Sequence, residues 1–483
     1  MAAWRVYESD TNRHVALALA ISSVFDASRP LFMRTTPLSS PFDPSSLRTG
    51  QELYVRAKRR IPGGTQLLSK RPEQYLPDNW PAYYSRAEGC TVWDLDGRPY
   101  VDFTSNGIGC CLLGYADPTV DAAVIDRVKR GSMCTLNTPD EVALADLLCE
   151  IHPWAEKVRY ARAGGEAMAI AVRIARTATG RDKLAFCGYH GWADWYLAAN
   201  LGETDALDGH LLPGLDPAGV PRPLRGTALP FRYNRIAELE AIVAAHGSEL
   251  AAIVMEPMRH DPPQDGFLEQ VRALADRAGA VLVFDEITAG WRSCHGGIHL
   301  RLGVAPDVAV FAKAISNGFP MAAIIGRGAV MEAAQKTFIS STYWTEAVGP
   351  AAALATLGKL REIDAVARIA ESGERTRNGW RELGERHRLR LKIGGLPALC
   401  TFSFDHGDDS RAIMTLFTQE MLRRSYFATG VFYPTCAHTP AVVDGYLRAV
   451  DSVFTDLRGR IDRKDVGRAL RGPVAHSGFA RLT

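Results

Sequence analysis

The sequence predicts an α/β protein with a mostly parallel sheet flanked by helices, plus a smaller α+β domain. Three continuous apolar runs, at residues 250–255, 280–284 and 308–311, have the length and composition of strands buried on both faces. An amphipathic pattern over residues 267–278 predicts a helix between the first two runs. Because strands and helices alternate, the strands are expected to lie parallel, with helices on both faces of the sheet.

The pattern along the chain divides it into a large domain and a small domain built from both chain ends. Residues 47–105 contain a first helix and hairpins, one of them around an Asp-Gly turn, and begin the small domain. Residues 106–350 hold the alternating strands and helices of the large domain. Residues 351–470 return to the small domain, with a helix, a pair of strands and another helix expected at 350–363, 391–404 and 409–425.

Three further segments have no place in this alternation. Residues 1–46 form an N-terminal extension, which is an added helix, a disordered tail or the product of a start site placed too early. Residues 202–230 are rich in Gly and Pro and predict a long surface excursion that could cover a site. Residues 471–483 form a loose basic tail.

Composition excludes several classes of protein. The chain has 483 residues and a net charge of +2, which gives no electrostatic footprint for nucleic acid. Its nine cysteines are scattered without a Cys-x-x-Cys pair, so free thiols in a reducing, cytoplasmic compartment are expected. The twelve histidines show no ligand spacing, and no metal site is predicted. The apolar stretch at residues 15–25 has about half of the ~20 residues that a membrane span needs, and Glu8 and Asp10 argue against a secretory signal.

Two charged residues come at or just after the ends of buried strands. Asp285 follows the apolar run at 280–284, and Lys313 lies two residues after the run at 308–311. Ligands of open α/β sheets bind at the carboxyl ends of the strands. A lysine that forms a Schiff base and a carboxylate that keeps a pyridine nitrogen protonated are what pyridoxal 5′-phosphate (PLP) requires. The alternative is a structural ion pair between the two side chains.

A glycine pair and an aromatic turn add to this pattern. Gly164 and Gly165 precede a helical pattern at 168–179, where free N–H groups and the helix dipole attract an anion. Tyr189 and His190 follow a short strand at 183–186 and could stack on a flat cofactor ring. An ordinary tight turn and a packed aromatic turn remain the alternatives for these two motifs.

Together these motifs resemble the class III, fold type I PLP-dependent aminotransferases, and within them the glutamate-1-semialdehyde aminomutase branch. The resemblance extends from about residue 61 to about residue 457. It depends on motifs in a fixed order: Pro-Gly-Gly at 62–64, the Asp-Gly hairpin at 92–102, Leu-Gly-Tyr-Ala-Asp-Pro at 113–118, Gly-Gly-Glu-Ala at 164–167, Tyr-His-Gly at 189–191, Met-Glu-Pro at 255–257, Asp-Glu at 285–286, and Lys313.

The resemblance implies a role for each candidate site residue. Lys313 corresponds to the Schiff-base lysine that also carries the proton, and Asp285 to the partner of the pyridine nitrogen. The other implied cofactor contacts are Tyr189 and His190 beside the ring, Ile287 on its other face, Gly164 and Gly165 at the phosphate, Glu256 near the cofactor and substrate, and Thr342, with Thr345 as a rival, reaching the phosphate from a partner subunit.

Three departures from the family pattern bear on binding. Ala163 and Gly165 replace the hydroxyl residues of the family's Ser-Gly-Thr-Glu-Ala, so phosphate binding must depend on backbone N–H groups and Thr342. Lys70 stands where the aminomutase has a carboxylate-binding arginine, and lysine cannot make the same two-pronged contact. Residues 432–439 lack a late arginine found in many members. These changes favour a neutral or hydroxylated substrate over a dicarboxylate, unless another arginine supplies the contact: Arg162, Arg259 or Arg292.

The favoured activity is a ping-pong aminotransferase that acts through Lys313. It moves an amino group from an amino-acid donor such as glutamate to a carbonyl acceptor that is sugar-like or a secondary metabolite. The main alternative is an intramolecular aminomutase of the glutamate-1-semialdehyde type. Racemization, decarboxylation and a non-catalytic scaffold role stay open. The resemblance also implies small-molecule substrates and a homodimer with a shared active site. No membrane or nucleic-acid partner is expected, given the net charge and the short apolar stretches.

Overall fold

The computed structural model describes residues 49–203, 205–210 and 214–476. The extension expected at residues 1–46 and most of the tail expected at 471–483 therefore lie outside the described part of the chain. Within that part, no helix combines the length and apolar character that crossing a membrane requires.

A seven-stranded sheet forms the centre of the structure and confirms the predicted α/β class. Its strands lie in the order Lys157–Ala161, Ala322–Gly326, Val308–Phe311, Val281–Asp285, Leu250–Met255, Lys183–Cys187 and Ala228–Pro230. The last five of these are parallel to one another. The Ala322–Gly326 strand is antiparallel to both of its neighbours, a direction that the sequence pattern did not indicate.

The strands are buried on both faces because their side chains pack against two different cores. Every residue of the Val281–Asp285 strand is buried. Val281 and Val283 pack into one apolar cluster, whereas Leu282 and Phe284 pack into another on the opposite face. The Phe267–Ala278 helix covers the second face with its apolar stripe and begins and ends where the sequence predicts.

Helices of ten or more residues surround the sheets. In the described residues they span Thr49–Lys58, Pro118–Lys129, Pro139–Ile151, Gly164–Thr179, Ile236–His246, Phe267–Ala278, Val348–Glu362, Ala365–Arg386, Ser410–Arg423 and Pro440–Arg463. Several begin at capping side chains; Asp117, for example, accepts hydrogen bonds from the backbone N–H groups of Thr119 and Val120.

Two smaller sheets combine early and late parts of the chain. One contains Tyr84–Glu88, Thr91–Asp94, Pro99–Phe103 and Tyr426–Ala428; the other contains Leu391–Gly394, Cys400–Phe404 and Val431–Phe432. Thr91–Asp94 pairs antiparallel with Pro99–Phe103, which confirms the Asp-Gly hairpin. Phe103 stacks on Tyr446, with ring centroids 3.9 Å apart. The exact domain boundaries stay predictions.

Two local expectations differ from the structure. The Gly/Pro-rich stretch at residues 202–230 ends in a strand, Ala228–Pro230, which pairs parallel with the Lys183–Cys187 strand. Backbone pairing to an existing edge needs no apolar periodicity, so the pattern did not reveal it. The helix expected from residue 168 begins at Gly164, because the glycine pair forms its first turn.

Candidate active site

Asp285 and Lys313 lie at the carboxyl ends of neighbouring parallel strands. Asp285 ends the Val281–Asp285 strand and is paired in register with Val310 of the next strand. The two side chains have different partners: the Asp285 carboxylate contacts His190, and the Lys313 amine contacts Thr288. No ion pair joins Asp285 to Lys313 in the described structure, so the structural ion pair left open by the sequence is absent.

His190 holds the Asp285 carboxylate in a defined position. The His190 Nδ1 atom lies 2.8 Å from Asp285 Oδ2, and Nε2 lies 3.1 Å from the Cys187 carbonyl oxygen. Because a carbonyl only accepts, Nε2 carries a hydrogen and donates it there. The backbone N–H of Ile287 donates to Asp285 Oδ1 at 3.0 Å. Both carboxylate oxygens are thus oriented by neighbours, and both residues are almost fully buried.

Lys313 is partly buried, in an environment that disfavours its charged form. Burial, with the neighbouring Arg259 charge, lowers the pKa of Lys313 from 10.5 to about 8. The Nζ atom donates to Thr288 Oγ1 at 2.9 Å. The Lys313 backbone has a φ of 50°, a left-handed conformation that is uncommon for a residue with a long side chain. Such strained backbone is concentrated at functional sites.

The glycine pair forms an open cradle at the start of the Gly164–Thr179 helix. The Glu166 carboxylate accepts from the backbone N–H groups of Arg162 and Ala163, at 3.0 and 3.4 Å. In the described residues, the N–H groups of Gly164 and Gly165 have no protein acceptor, as expected in the first turn of a helix. A Cβ at Gly164 would lie 2.8 Å from Ile287 Cδ1, so glycine is needed where Ile287 packs.

The aromatic turn closes around the same cradle. A Cβ at Gly191, whose φ is 101°, would lie 3.1 Å from the Cα atom of Gly165. The Tyr189 backbone N–H lies 3.4 Å from Glu256 Oε2, and Arg259 pairs with the same carboxylate at 2.9 Å. The Tyr189 ring is half-buried and meets Tyr196 edge-on, with centroids 5.9 Å apart.

The structure therefore brings together most of the predicted site. The residues linked through these contacts are Gly164, Gly165, Tyr189, His190, Glu256, Asp285 and Ile287, with Lys313 on the adjoining strand end. Thr342 and Thr345 lie in a separate exposed turn, where the Thr345 hydroxyl donates to the Thr342 carbonyl at 3.1 Å. In this chain as described, neither threonine forms a hydrogen bond with the glycine cradle.

Thr288 was not identified from the sequence. It follows Asp285 by three residues, in the turn after the strand, and its side chain is buried against Lys313. A hydroxyl residue in a turn is common, so only its distance from a charged strand end could have marked it. The contact between His190 and Asp285 was also unpredicted, because 95 residues separate them in sequence.

The arrangement fits the cofactor that the motifs imply. An anionic phosphate would find two unused N–H groups at Gly164 and Gly165, in the first turn of the helix. A protonated pyridine nitrogen would find the oriented carboxylate of Asp285. Lys313 supplies an amine whose lowered pKa leaves part of it neutral near pH 8.

Comparisons with known proteins agree with this geometry. Residues 75–439, most of the chain, match the family model for class-III aminotransferases. The chain is 32% identical over 391 residues to 2′-deamino-2′-hydroxyneamine transaminase of Streptomyces kanamyceticus, covering 80% of this chain and 93% of the relative. It is 37% identical over 323 residues to glutamate-1-semialdehyde 2,1-aminomutase of Desulfovibrio desulfuricans, covering 65% and 74%.

A solved structure shares the fold across nearly its full length. The FumI protein of Sphingopyxis sp. MTA144, solved in a form that holds PLP, superposes with a TM-score of 0.77 at 28% identity, covering 86% of this chain and 97% of FumI. With the family match, this likeness confirms the fold type and the cofactor expected from the motifs. The chain belongs to the class-III aminotransferases, a family of PLP-dependent enzymes.

Proposed function

We propose that the protein transfers an amino group from an amino-acid donor to the carbonyl of a sugar-like or secondary-metabolite acceptor, by a ping-pong mechanism. The observation that carries this proposal is the partly buried, partly neutral Lys313 on the strand end next to an oriented Asp285 carboxylate and a cradle of two unused amides. When bound, PLP withdraws electrons from the substrate carbon that bears the amine.

The chain supplies a contact for each part of that cofactor. We assign the ring nitrogen to Asp285 and the phosphate to the amides of Gly164 and Gly165. Ile287 and Tyr189, with His190 behind Asp285, occupy the surroundings of the ring, and Glu256 lies beside Tyr189. His190 is a positioning residue in this scheme, because its ring nitrogens contact Asp285 and the Cys187 carbonyl and no other group in the described part of the chain.

Lys313 acts as the nucleophile and the proton carrier. At pH 7.5 a pKa of about 8 leaves roughly a quarter of the amine neutral. An ordinary lysine would be only about 0.1% neutral at the same pH. Burial therefore raises the population of the reactive form by more than two orders of magnitude. Thr288 restrains the amine through their hydrogen bond.

The pH dependence of cofactor capture tests this role of Lys313. The rate at which apoenzyme captures PLP, followed by absorbance, is expected to rise with pH and level off above about 8. Thr288→Val removes an acceptor that favours the ammonium form, so the midpoint is expected to move to lower pH. Thr177→Val, which removes an exposed hydroxyl bonded within its own helix, serves as the control. An unchanged midpoint in Thr288→Val would contradict the contribution of this bond.

A sugar-like acceptor is supported by one relative, whose name denotes a transaminase of an aminoglycoside precursor. The aminomutase is the second candidate, supported by the 37% identity to that enzyme. Lys70, at the position that the sequence pattern assigns to the aminomutase's arginine, is exposed at the end of a short turn, Leu68–Lys70. This difference favours the transferase over the aminomutase.

Adding amino donors singly to the holoenzyme, without an acceptor, tests the proposed reaction. A transaminase is expected to convert from the yellow form to the pyridoxamine form with its donor. If no common amino acid changes the cofactor absorbance but the enzyme isomerises glutamate-1-semialdehyde, the enzyme is instead an aminomutase. Failure of both reactions would overturn the proposed function.

A second copy of the chain is proposed to complete the site through Thr342. Large apolar side chains are exposed near the cradle and on the Thr342 turn: Trp192 is 74% exposed, Phe338 84% and Tyr343 70%. Trp192 lies 3.4 Å from where a Cβ on Gly165 would be. Burial of these side chains between two copies would remove apolar surface from water. Light scattering of the holoenzyme tests this proposal, and a mass of one chain would contradict it.

A cytoplasmic location is also proposed. All nine cysteines are free, as expected in a reducing compartment. Localization of the tagged full-length chain by fractionation tests it.

A further inference from the structure

Arg292 is a buried cation close to Lys313. It follows Thr288 by four residues, in the turn after the Val281–Asp285 strand, and only 2% of it is exposed. Its Nε atom donates to the Thr288 carbonyl at 2.8 Å, and Nη2 donates to the Gly109 carbonyl. The guanidinium carbon lies 5.6 Å from the centroid of the Tyr433 ring. All of these partners are neutral.

The other two arginines near the cradle have carboxylate partners. Arg162 pairs with Glu346 at 2.8 Å, and Arg259 pairs with Glu256 at 2.9 Å. Arg292 differs, because no carboxylate lies within 4.0 Å of it in the described residues. Buried charges in proteins are ordinarily paired, since desolvating a charge without a partner is costly. The contact with Tyr433 offsets only part of that cost.

Thr288 contacts both the Arg292 guanidinium and the Lys313 amine. The Thr288 hydroxyl accepts from Lys313 Nζ, while its carbonyl accepts from Arg292 Nε. Both cations lie close enough to Cys110 to influence its thiol. Burial raises the pKa of Cys110, and the positive charges of Lys313 and Arg292 oppose that rise. The third guanidinium nitrogen, Nη1, has no protein acceptor among residues 49–203, 205–210 and 214–476. A charged donor is therefore unused on an arginine that shares the contact residue Thr288 with the reactive amine.

We propose that Arg292 is the residue that recognises a carboxylate of the substrate amino acid. This assignment rests on the proposed aminotransferase function and adds a specificity residue to it. Since Nε and Nη2 are held by backbone carbonyls, Arg292 offers one free nitrogen, not a two-pronged edge. It therefore suits one carboxylate near the reacting carbon. The second carboxylate of a dicarboxylate would need a separate partner.

Binding of propanoate and its uncharged counterpart propanamide to the holoenzyme tests the assignment. Binding is followed at constant ionic strength by the perturbation of the cofactor absorbance and by the shift in unfolding temperature. The wild-type enzyme is expected to bind propanoate more tightly than propanamide. Arg292→Gln should weaken propanoate binding by about 10- to 100-fold, the range for a hydrogen bond to a charged group. Propanamide binding should change little.

Two further variants make the comparison specific. Arg292→Lys keeps the charge without the guanidinium geometry and is expected to bind propanoate with intermediate affinity. It also provides a folded variant if Arg292→Gln is unstable, as judged by cofactor absorbance and unfolding temperature. Arg375→Lys is the control, because Arg375 forms an exposed ion pair with Asp444 in a helix of the chain's later part.

The outcomes separate this inference from the proposed function. Equal propanoate affinity in wild type and both Arg292 variants would overturn the inference while leaving the transferase intact. Equal wild-type affinity for propanoate and propanamide would overturn it as well. A wild-type enzyme that converts no amino donor, yet loses propanoate binding in Arg292→Gln, would overturn the proposed function and retain Arg292 as a carboxylate site.

Discussion

Replacing Lys313 with alanine is expected to slow amino-group transfer by at least about 10³-fold, because one substitution removes the residue proposed as both nucleophile and proton carrier. The amine of Lys313 is positioned by its place just after the Val308–Phe311 strand and by its hydrogen bond to Thr288. The single-turnover rate with the identified donor is the measurement. Lys336→Ala, which changes an exposed lysine, is the matched control.

Small amines provide a sharper test of the Lys313 assignment. The alanine variant leaves a space where the lysine side chain was, and methylamine is small enough to enter it. If Lys313 moves the proton, added methylamine should restore part of the rate in Lys313→Ala and have little effect on the wild type. Transfer at close to the wild-type rate in the unrescued variant would show that Lys313 is not the essential base.

The second large effect is expected from Asp285→Asn, which keeps the shape of the side chain and removes its charge. Turnover should fall by about 10²- to 10³-fold, the range observed when an oriented electrostatic partner is lost. Capture of PLP by Lys313 should continue, because Asp285 does not contact the Lys313 amine. Single-turnover kinetics and the cofactor absorbance measure the two effects separately.

A surface carboxylate provides the control for Asp285→Asn. Asp276→Asn neutralises a largely exposed aspartate in the Phe267–Ala278 helix, whose loss should leave turnover unchanged. Equal turnover in Asp285→Asn and the wild type would refute the pairing of Asp285 with the ring nitrogen. Loss of PLP capture together with turnover would indicate that Asp285 supports the fold of the site and not its chemistry.

The sequence predicted the central elements well where one physical signal dominates. The Leu250–Met255 strand and the Phe267–Ala278 helix were predicted with their observed bounds, because a short apolar run and an amphipathic stripe are local signals. The direction of the Ala322–Gly326 strand was not predictable in this way, since a buried run looks the same in either orientation. The Ala228–Pro230 strand depends on backbone pairing with a distant partner.

The residues of the candidate site also divide into those that a local motif identifies and those whose contacts depend on the tertiary structure. The strand ends marked Asp285 and Lys313, and the glycine pair marked the cradle, because each is a short motif in one stretch of chain. Which carboxylate faces which cation is a matter of tertiary packing. The sequence therefore left Arg162, Arg259 and Arg292 equivalent, whereas the structure gives carboxylate partners to the first two alone.

The lowered pKa of Lys313 has a consequence for how the enzyme is maintained. An unfolded chain holds the lysine proton up to about pH 10.5, whereas the folded empty protein releases it near pH 8. Stability of the empty protein therefore rises between those values, and below pH 8 the full penalty applies, about 3 kcal/mol. Cofactor that engages this amine removes the penalty and adds its own binding energy. The empty protein is therefore expected to unfold more readily than the cofactor-loaded protein at neutral pH, and to be cleaved faster by proteases.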